Sequence, residues 1–243
     1  MKKIIAILLC FVWMNGIHSQ TEKSQQPRKG GAVQIEQTAD LNIYHIDFDK
    51  IELYFGQRPE SEQVVYCAEA AYTNKPFGAK FAHKRIAGPH AGSGVKYKGG
   101  ESPYYSGAFT YYQGHWHFHY NTKYEYNAVM DSAADCGGMG FCQSMIIYHK
   151  ALVRQTRPSI SQKEYYRTLC QKDGKLMIID TREKISFGRF TYLLVEMGIE
   201  DAIYMDMGSG WNHSWYRDEE GKKIEIFPKT HNCCTNWIGF IKK

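Results

Sequence analysis

The chain has 243 residues, 43% of them hydrophobic and 23% charged, a balance that excludes intrinsic disorder and leaves ample apolar surface for a core. Thirty Lys and Arg against 25 Asp and Glu give +5, which falls by two once Lys2 and Lys3 are assigned to a leader. So small and scattered an excess gives no footing for nucleic-acid binding. The 18 Tyr, 12 Phe and 5 Trp point to a β-rich core and to rings that can stack on a sugar or peptide.

Met1-Lys2-Lys3 is a short basic start, and Ile4 to Met14 is an apolar run that ends before the small residue Ser19. This is the plan of a secretory signal peptide over residues 1–19. The run falls short of the roughly 20 residues a spanning helix needs. The mature chain is therefore expected to be exported, periplasmic or extracellular, with no integral membrane span. Residues 20–40 are polar and read as a poorly ordered leader, so the domain is placed at 41–243. Beyond Cys10, six cysteines remain: Cys67, Cys136, Cys142, Cys170, Cys233 and Cys234. Export permits disulfides among them; Cys136 and Cys142 closing a Gly-rich loop is one option, and free thiols are the other.

Along the domain, Asn42 to Phe48 alternates as a strand, and Val64 to Ala68 is a short buried one. Residues 76–107 carry many Gly, Pro and Ser and read as a long loop of functional type. Ala108 to Tyr120, with Tyr124 and Tyr126, reads as a hairpin. Phe141 to Tyr148 and Lys175 to Asp180 are further strands, the second behind a Lys172-Asp173-Gly174-Lys175 turn. Ser186 can cap a helix whose Phe190, Leu193, Leu194 and Met197 share a face and whose end is marked by Gly198. Ala202 to Met205 is a strand that delivers Asp206 to its end, and Trp237 to Ile241 closes the chain. With no repeat and no linker, the sequence predicts one α+β domain, with a curved, mainly antiparallel mixed sheet and a few packed helices.

The densest chemistry follows Asp206. Met207-Gly208-Ser209-Gly210 is a turn a ligand can approach closely, and Trp211, Asn212, His213, Trp215 and Arg217 come straight after. The bland alternative is an Asx turn beside core tryptophans. A second candidate rim is the Gly-rich stretch holding His83, His90 and Ser93, since imidazoles bind phosphate or sugar hydroxyls and titrate near neutrality. A plain surface loop is the alternative there. His115, His117 and His119 share one strand face, with Trp116, Phe118 and Tyr120 on the other. Three imidazoles in line do not by themselves make a tetrahedral site. A wet histidine face over a buried aromatic one is expected, without metal.

Four motifs, in order, carry a resemblance. Ser186-Phe187-Gly188 precedes a helix, and MGIEDAIYMDMGSG follows over 197–210. Tyr166-Arg167 stands ahead of Asp173-Gly174-Lys175, Gly140 to Ser144 includes Gln143, and Asn236-Trp237-Ile238 opens the last strand. Over roughly residues 60–243 the chain resembles the phosphodiester glycosidase domain family. That resemblance implies hydrolysis of a sugar-1-phosphodiester in a glycan or envelope polymer, with no cofactor. That chemistry requires a cation for the phosphate and one or two carboxylates that activate water or stabilise an oxocarbenium-like transition state; Asp206 and Glu69 are the expected carboxylates, and Arg167 the bidentate phosphate holder. His83, His90, Ser93, Gln143, Ser144, Gly208, Ser209 and Asn212 would line the substrate. Arg167 has a structural alternative in pairing with Asp180 or Asp173, and Glu69 one in capping a helix. The chain departs from the family at Glu69, where Asn-Gly-Gly is usual, and at Tyr204 and Met207, where Asn and Gly are usual. The rival reading is a non-catalytic carbohydrate- or envelope-binding protein on the same fold, and a third is a metal-dependent hydrolase using the His strand. Nothing in the sequence indicates an oligomeric state.

Overall fold

The computed structural model describes residues 31–73, 83–101, 105–121, 123, 125–154, 159–206, 214–226 and 235–243; the expected signal peptide lies outside them. The chain begins with β1 (Val33–Gln37), β2 (Leu41–Ile46), β3 (Lys50–Phe55) and β4 (Val64–Glu69). A single 3-10 turn at His83–Arg85 precedes β5 (His90–Gly92) and β6 (Val95–Tyr97). Then come the hairpin β7 (Gly107–Tyr112) and β8 (His115–Tyr120), helix α1 (Asn127–Asp135), and β9 (Met139–Gln143). β10 (Met145–Tyr148), β11 (Ala151–Leu152) and β12 (Lys163–Glu164) follow. β13 (Arg167–Lys172) and β14 (Lys175–Thr181) form a second hairpin, and β15 (Ile185–Ser186) leads into helix α2 (Phe187–Glu196). β16 (Asp201–Tyr204), β17 (Trp215–Arg217), β18 (Lys223–Glu225) and β19 (Asn236–Ile241) complete the fold.

The strands make a seven-stranded sheet, β1-β2-β14-β13-β16-β10-β11, and two five-stranded sheets, β18-β17-β4-β19-β3 and β6-β5-β9-β7-β8, beside the small pair β12-β15. Every pairing between named strands is antiparallel. The fold is thus α+β, mostly sheet. Side-chain alternation splits the seven-stranded sheet between two cores. Leu176 and Ile178 join the large core that also holds Tyr66, Phe109, Phe141, Ile238 and Phe240. Met177 and Ile179 point the other way, onto Phe187, Phe190 and Leu194 of α2. Burial on both faces explains why β14 reads as a continuous apolar run rather than a clean alternation. Each large apolar side chain so buried contributes about 1.5–3 kcal/mol.

The Ser186 hydroxyl caps α2 by accepting from Arg189 N–H at 3.1 Å, and Gly198, at φ 72°, ends it, as the sequence predicts. Other expectations change. Residues 33–37 are a strand rather than a loose leader: they pair with β2, and Val33 is buried opposite Ile46. The stretch 76–107 contains β5 and β6, whose three-residue length gives no periodic signal. The expected strand 141–148 is two strands in different sheets, with the chain crossing between them at Ser144. Helix α1 had no announcing cap, since no side chain bonds its first turn; it packs Met130, Ala133 and Ala134 on Ala91, Ala108 and Cys142. Among the described residues no helix is long and apolar enough to cross a membrane.

Candidate active site

Three strands from distant parts of the chain end together. β13 opens at Arg167 opposite Asp180 of β14. Just past β16, Met205 N–H donates to the Arg167 carbonyl at 3.1 Å, and Asp206 N–H donates to Ala70 O at 3.1 Å. That second bond ties the seven-stranded sheet to the end of β4, where Glu69 sits. Asp206 is 3% exposed, and Glu69 and Arg167 are fully buried. The structure therefore brings these three to one place, the seam between two sheets.

The seam is held by groups the sequence reading missed. Thr73 N–H donates to Asp206 Oδ2 at 3.4 Å. Asn236 accepts from Ala71 N–H through Oδ1 at 2.7 Å and donates to Ala71 O through Nδ2 at 2.9 Å. Its amide thus stands in for a backbone pair where β4 has run out. The hydroxyls of Thr73 and Thr235 bond at 2.8 Å. Single Thr and Asn residues carry no pattern, so only the Asn236-Trp237 motif pointed here.

Arg167 takes its structural alternative. Its Nε donates to Asp180 Oδ1 at 2.6 Å and its Nη2 to Oδ2 at 2.7 Å, while Nη1 donates to the Ser214 hydroxyl. Burial works against this guanidinium's charge, but Asp180 outweighs it and holds the group above its ordinary range. On Asp180 burial pushes upward and Arg167 pulls down; the bidentate geometry is that of an ionised carboxylate, which we take as its state. The direct phosphate grip expected of Arg167 is thereby revised, because the planar fork already faces Asp180. Tyr44 and Tyr66 border the pair; burial, with Asp180 adding to it and Arg167 opposing, raises both phenols well above their ordinary value and keeps them neutral. Burial and the nearby Asp206 likewise raise Tyr204, so it remains a proton-bearing phenol beside the candidate carboxylate.

Gln143 is 3% exposed. Its Oε1 accepts from Ser144 N–H at 3.0 Å, and its buried Nε2 has no hydrogen-bond partner among the described residues. Ser144 O accepts from Tyr204 N–H at 2.8 Å, which places both residues two positions from Asp206. Ser93 does not join them. It lies at φ 52° in the exposed β5–β6 turn, and neighbouring Gly94 faces Ala134 of α1, so its role is the turn. Gly208, Ser209 and Asn212 lie outside the described residues, as do Cys233 and Cys234. Cys67, Cys136, Cys142 and Cys170 are free. Cys142 faces Pro89 O at 3.2 Å, so the loop Cys136–Cys142 is not closed by a disulfide.

His83 and His90 form a pair, Nδ1 to Nε2 at 3.0 Å. The pair adjoins the seam through Phe55, whose ring lies 4.7 Å from that of His83 and whose backbone pairs with Asn236. His90 is fully buried. Burial pushes its pKa down to about 4, against a bond to Gly88 O and with some help from His83. An unfolded histidine titrates near 6.5, so between those values the unfolded chain binds more protons and stability falls as pH drops. The penalty should reach about 3 kcal/mol near pH 4. Thermal melts from pH 7 to 4 check this: His90→Gln should lose less stability than wild type over the window, and parallel curves would refute it. On β8, Trp116, Phe118 and Tyr120 pack on the large core. His115 and His117 are exposed on the other face, and His119 bonds Thr110 at 2.9 Å.

A cavity of about 430 Å³ lies elsewhere, lined by Asp47, Asp49, Trp116, Gly174 and Lys175 among others. It sits at the Lys175 end of β14, roughly 17 Å along the strand from Asp180. A smaller one of about 310 Å³, lined by Asn42, Tyr44, Arg182 and Tyr216, adjoins the seam, since Asn42 pairs with Asp180. The site is placed at the seam because buried polar groups converge there, whereas the large cavity shows no comparable cluster.

No family model and no curated protein matches the chain by sequence. Ten chains of solved structures match it in three dimensions. Among them is the catalytic domain of zebrafish N-acetylglucosamine-1-phosphodiester alpha-N-acetylglucosaminidase, auto-inhibited by pro-peptide. It superposes with a TM-score of 0.59 over 87% of this chain and 78% of that one, at 9% identity. At that identity the likeness is one of fold, and this chain has the fold of that glycosidase domain.

Proposed function

We propose that the chain is an exported glycosidase that hydrolyses a sugar-1-phosphodiester in a glycan or envelope polymer. The observation that carries this reading is the convergence of Glu69, Arg167 and Asp206 at one seam, on the fold of a domain whose name states that chemistry. The anomeric C–O bond breaks with its electron pair leaving on phosphate, a good leaving group, while a water oxygen attacks the anomeric carbon. The protein's main task is then to stabilise positive charge at the sugar, which Asp206 and Glu69 do as carboxylates. Arg167 acts from behind, its pair with Asp180 fixing Ser214 and the ends of β13 and β14. His83, His90, Gln143 and Ser144 border the substrate, with Gly208, Ser209 and Asn212 proposed to complete its rim.

One observation favours the rival, a carbohydrate- or envelope-binding protein without turnover: the guanidinium expected to hold phosphate is engaged internally. Incubating the chain from Gln20 onward with a panel of sugar-1-phosphodiesters separates the two. Release of free sugar is expected. Calorimetric glycan binding without release on any member would establish the rival instead.

A further inference from the structure

The cavity at the Lys175 end of β14 takes no part in the seam, and its volume of about 430 Å³ suits a small ligand. Three aromatic residues line it: Phe48, just beyond β2, and Tyr111 and Trp116 from the two strands of the β7–β8 hairpin. The Phe48 ring contacts both others, its centroid 6.4 Å from that of Tyr111 and 6.2 Å from that of Trp116. Hydrogen bonds fix those two rings. The Tyr111 hydroxyl donates to Asp49 O at 3.2 Å. Trp116 Nε1 donates to Gln171 Oε1 at 2.8 Å, and Gln171 Nε2 donates in turn to Asp201 Oδ2 at 2.9 Å. A ligand thus meets an aromatic wall already ordered by the fold, which spares it the entropy of fixing those rings.

The cavity is also lined by the exposed residues Asp47, Asp49 and Lys175. Lys242 Nζ donates to Asp47 Oδ1 at 2.9 Å and to Asp49 Oδ1 at 3.3 Å, and Lys243 N–H donates to Asp49 Oδ2 at 2.8 Å. That amide first, then Lys242, holds the Asp49 carboxyl below its usual range. A carboxylate has about four acceptor sites, so both keep some unused. The Lys175 ammonium has no ion pair or hydrogen bond among the described residues, and its hydrogens are left to donate. Two hairpin turns add Gly114 and Gly174 to the lining, and a side chain at either would meet nothing within 4 Å. The approach past them is open.

This lining selects by chemistry. Asp47 and Asp49 are balanced by Lys242 and Lys175, so no net charge draws in a nucleic acid or a highly charged peptide. A wholly apolar ligand would strip water from the carboxylates without replacing it. A saccharide satisfies both halves, with its C–H faces on the rings and its hydroxyls on the carboxylates and the ammonium.

We propose that this cavity is a saccharide-binding subsite, which holds an uncharged stretch of glycan on Phe48, Tyr111 and Trp116 with its hydroxyls met by Asp47, Asp49 and Lys175. The proposal goes beyond the hydrolase reading and does not depend on it. At roughly 17 Å from Asp180 along β14, the sugars held here are remote from any bond cut at the seam.

The test titrates hexasaccharides of glucose, of mannose and of N-acetylglucosamine into the nitrogen-15-labelled chain from Gln20 onward. At least one is expected to bind with a Kd of about 1 mM or tighter. It should shift the Trp116 indole N–H and the amides of Gly114 and Gly174, and leave the indoles of Trp215 and Trp237 in place. Trp116→Ala should weaken that binding about tenfold. Because Trp116 also packs on the core, the exposed pair Asp47→Ala/Lys175→Ala gives a second variant, expected to weaken binding by a similar factor of about ten. Absence of binding by all three sugars at about 10 mM, or binding that leaves Trp116 unmoved, would overturn the proposal. A peptide that shifts Trp116 where no hexasaccharide does would overturn it too and give the cavity to a peptide. Cleavage of a sugar-1-phosphodiester without hexasaccharide binding at Trp116 would remove the subsite and keep the hydrolase. Binding there without cleavage of any sugar-1-phosphodiester would support the subsite and remove the hydrolase.

Discussion

Asp180→Asn should destabilise the folded chain by about 3–5 kcal/mol, the cost of stranding a buried charge. Arg167 and Asp180 are both fully buried, with bonds of 2.6 and 2.7 Å. Asn keeps the size of Asp but presents one acceptor, and its amide hydrogens oppose a guanidinium that cannot shed its proton. A domain of this size should then melt roughly 10 °C lower. The converse change, Arg167→Met, should cost a similar amount by leaving Asp180 alone among Tyr44 and Tyr66. The double variant Arg167→Met/Asp180→Leu should recover most of the loss, because desolvating both ions nearly offsets their attraction. Urea unfolding of the three variants forms a cycle whose coupling should exceed 2 kcal/mol. Single variants each losing less than about 1 kcal/mol would mean that water reaches the pair. A recovered but inactive double variant would show that the pair is kept for the site rather than for stability.

Much of the scaffold was legible in the sequence, for identifiable reasons. The Ser186 cap, the Phe190 and Leu194 spacing and Gly198 specify α2 through local bonds, which neighbouring residues alone determine. The two-residue turn Asp173-Gly174 fixes the register of β13 and β14. Counting outward from it gives Arg167 opposite Asp180, so the choice between Asp180 and Asp173 as partner could have been made from sequence. The seam was less accessible. Glu69, Arg167 and Asp206 meet only because β4, β13 and β16 end at one level in two sheets, and no local spacing encodes that. Thr73, Ser214, Thr235 and Asn236 act through hydrogen bonds whose partners are far away in sequence. The continuous run 141–148 hid the crossing at Ser144, because a strand buried on both sides looks the same in either sheet. His83 and His90 were visible as residues, but their bond to each other and that of His90 to the Gly88 carbonyl were not.

Asp206→Asn should lower turnover of a cleaved sugar-1-phosphodiester about 1,000-fold while leaving the fold and ligand affinity nearly intact. Asp206 is placed by backbone: its N–H donates to Ala70 O, and the preceding Met205 is bonded to Arg167 O. Neither bond involves the carboxylate. Thr73 N–H, the described donor to Oδ2, can be met equally well by the amide oxygen of Asn. What Asn removes is the negative charge, which matters most when the sugar carries positive charge in the transition state. Such a change should therefore appear in kcat and spare the ground-state contacts that set KM. Glu69→Gln, at the end of β4 on the other side of the seam, gives the second member of the comparison. If the two carboxylates act on one transition state, the double variant should be little worse than the weaker single one. Full activity in Asp206→Asn together with a dead Glu69→Gln would keep the hydrolase and move the negative charge to β4. Full activity in both would remove the seam from the chemistry altogether.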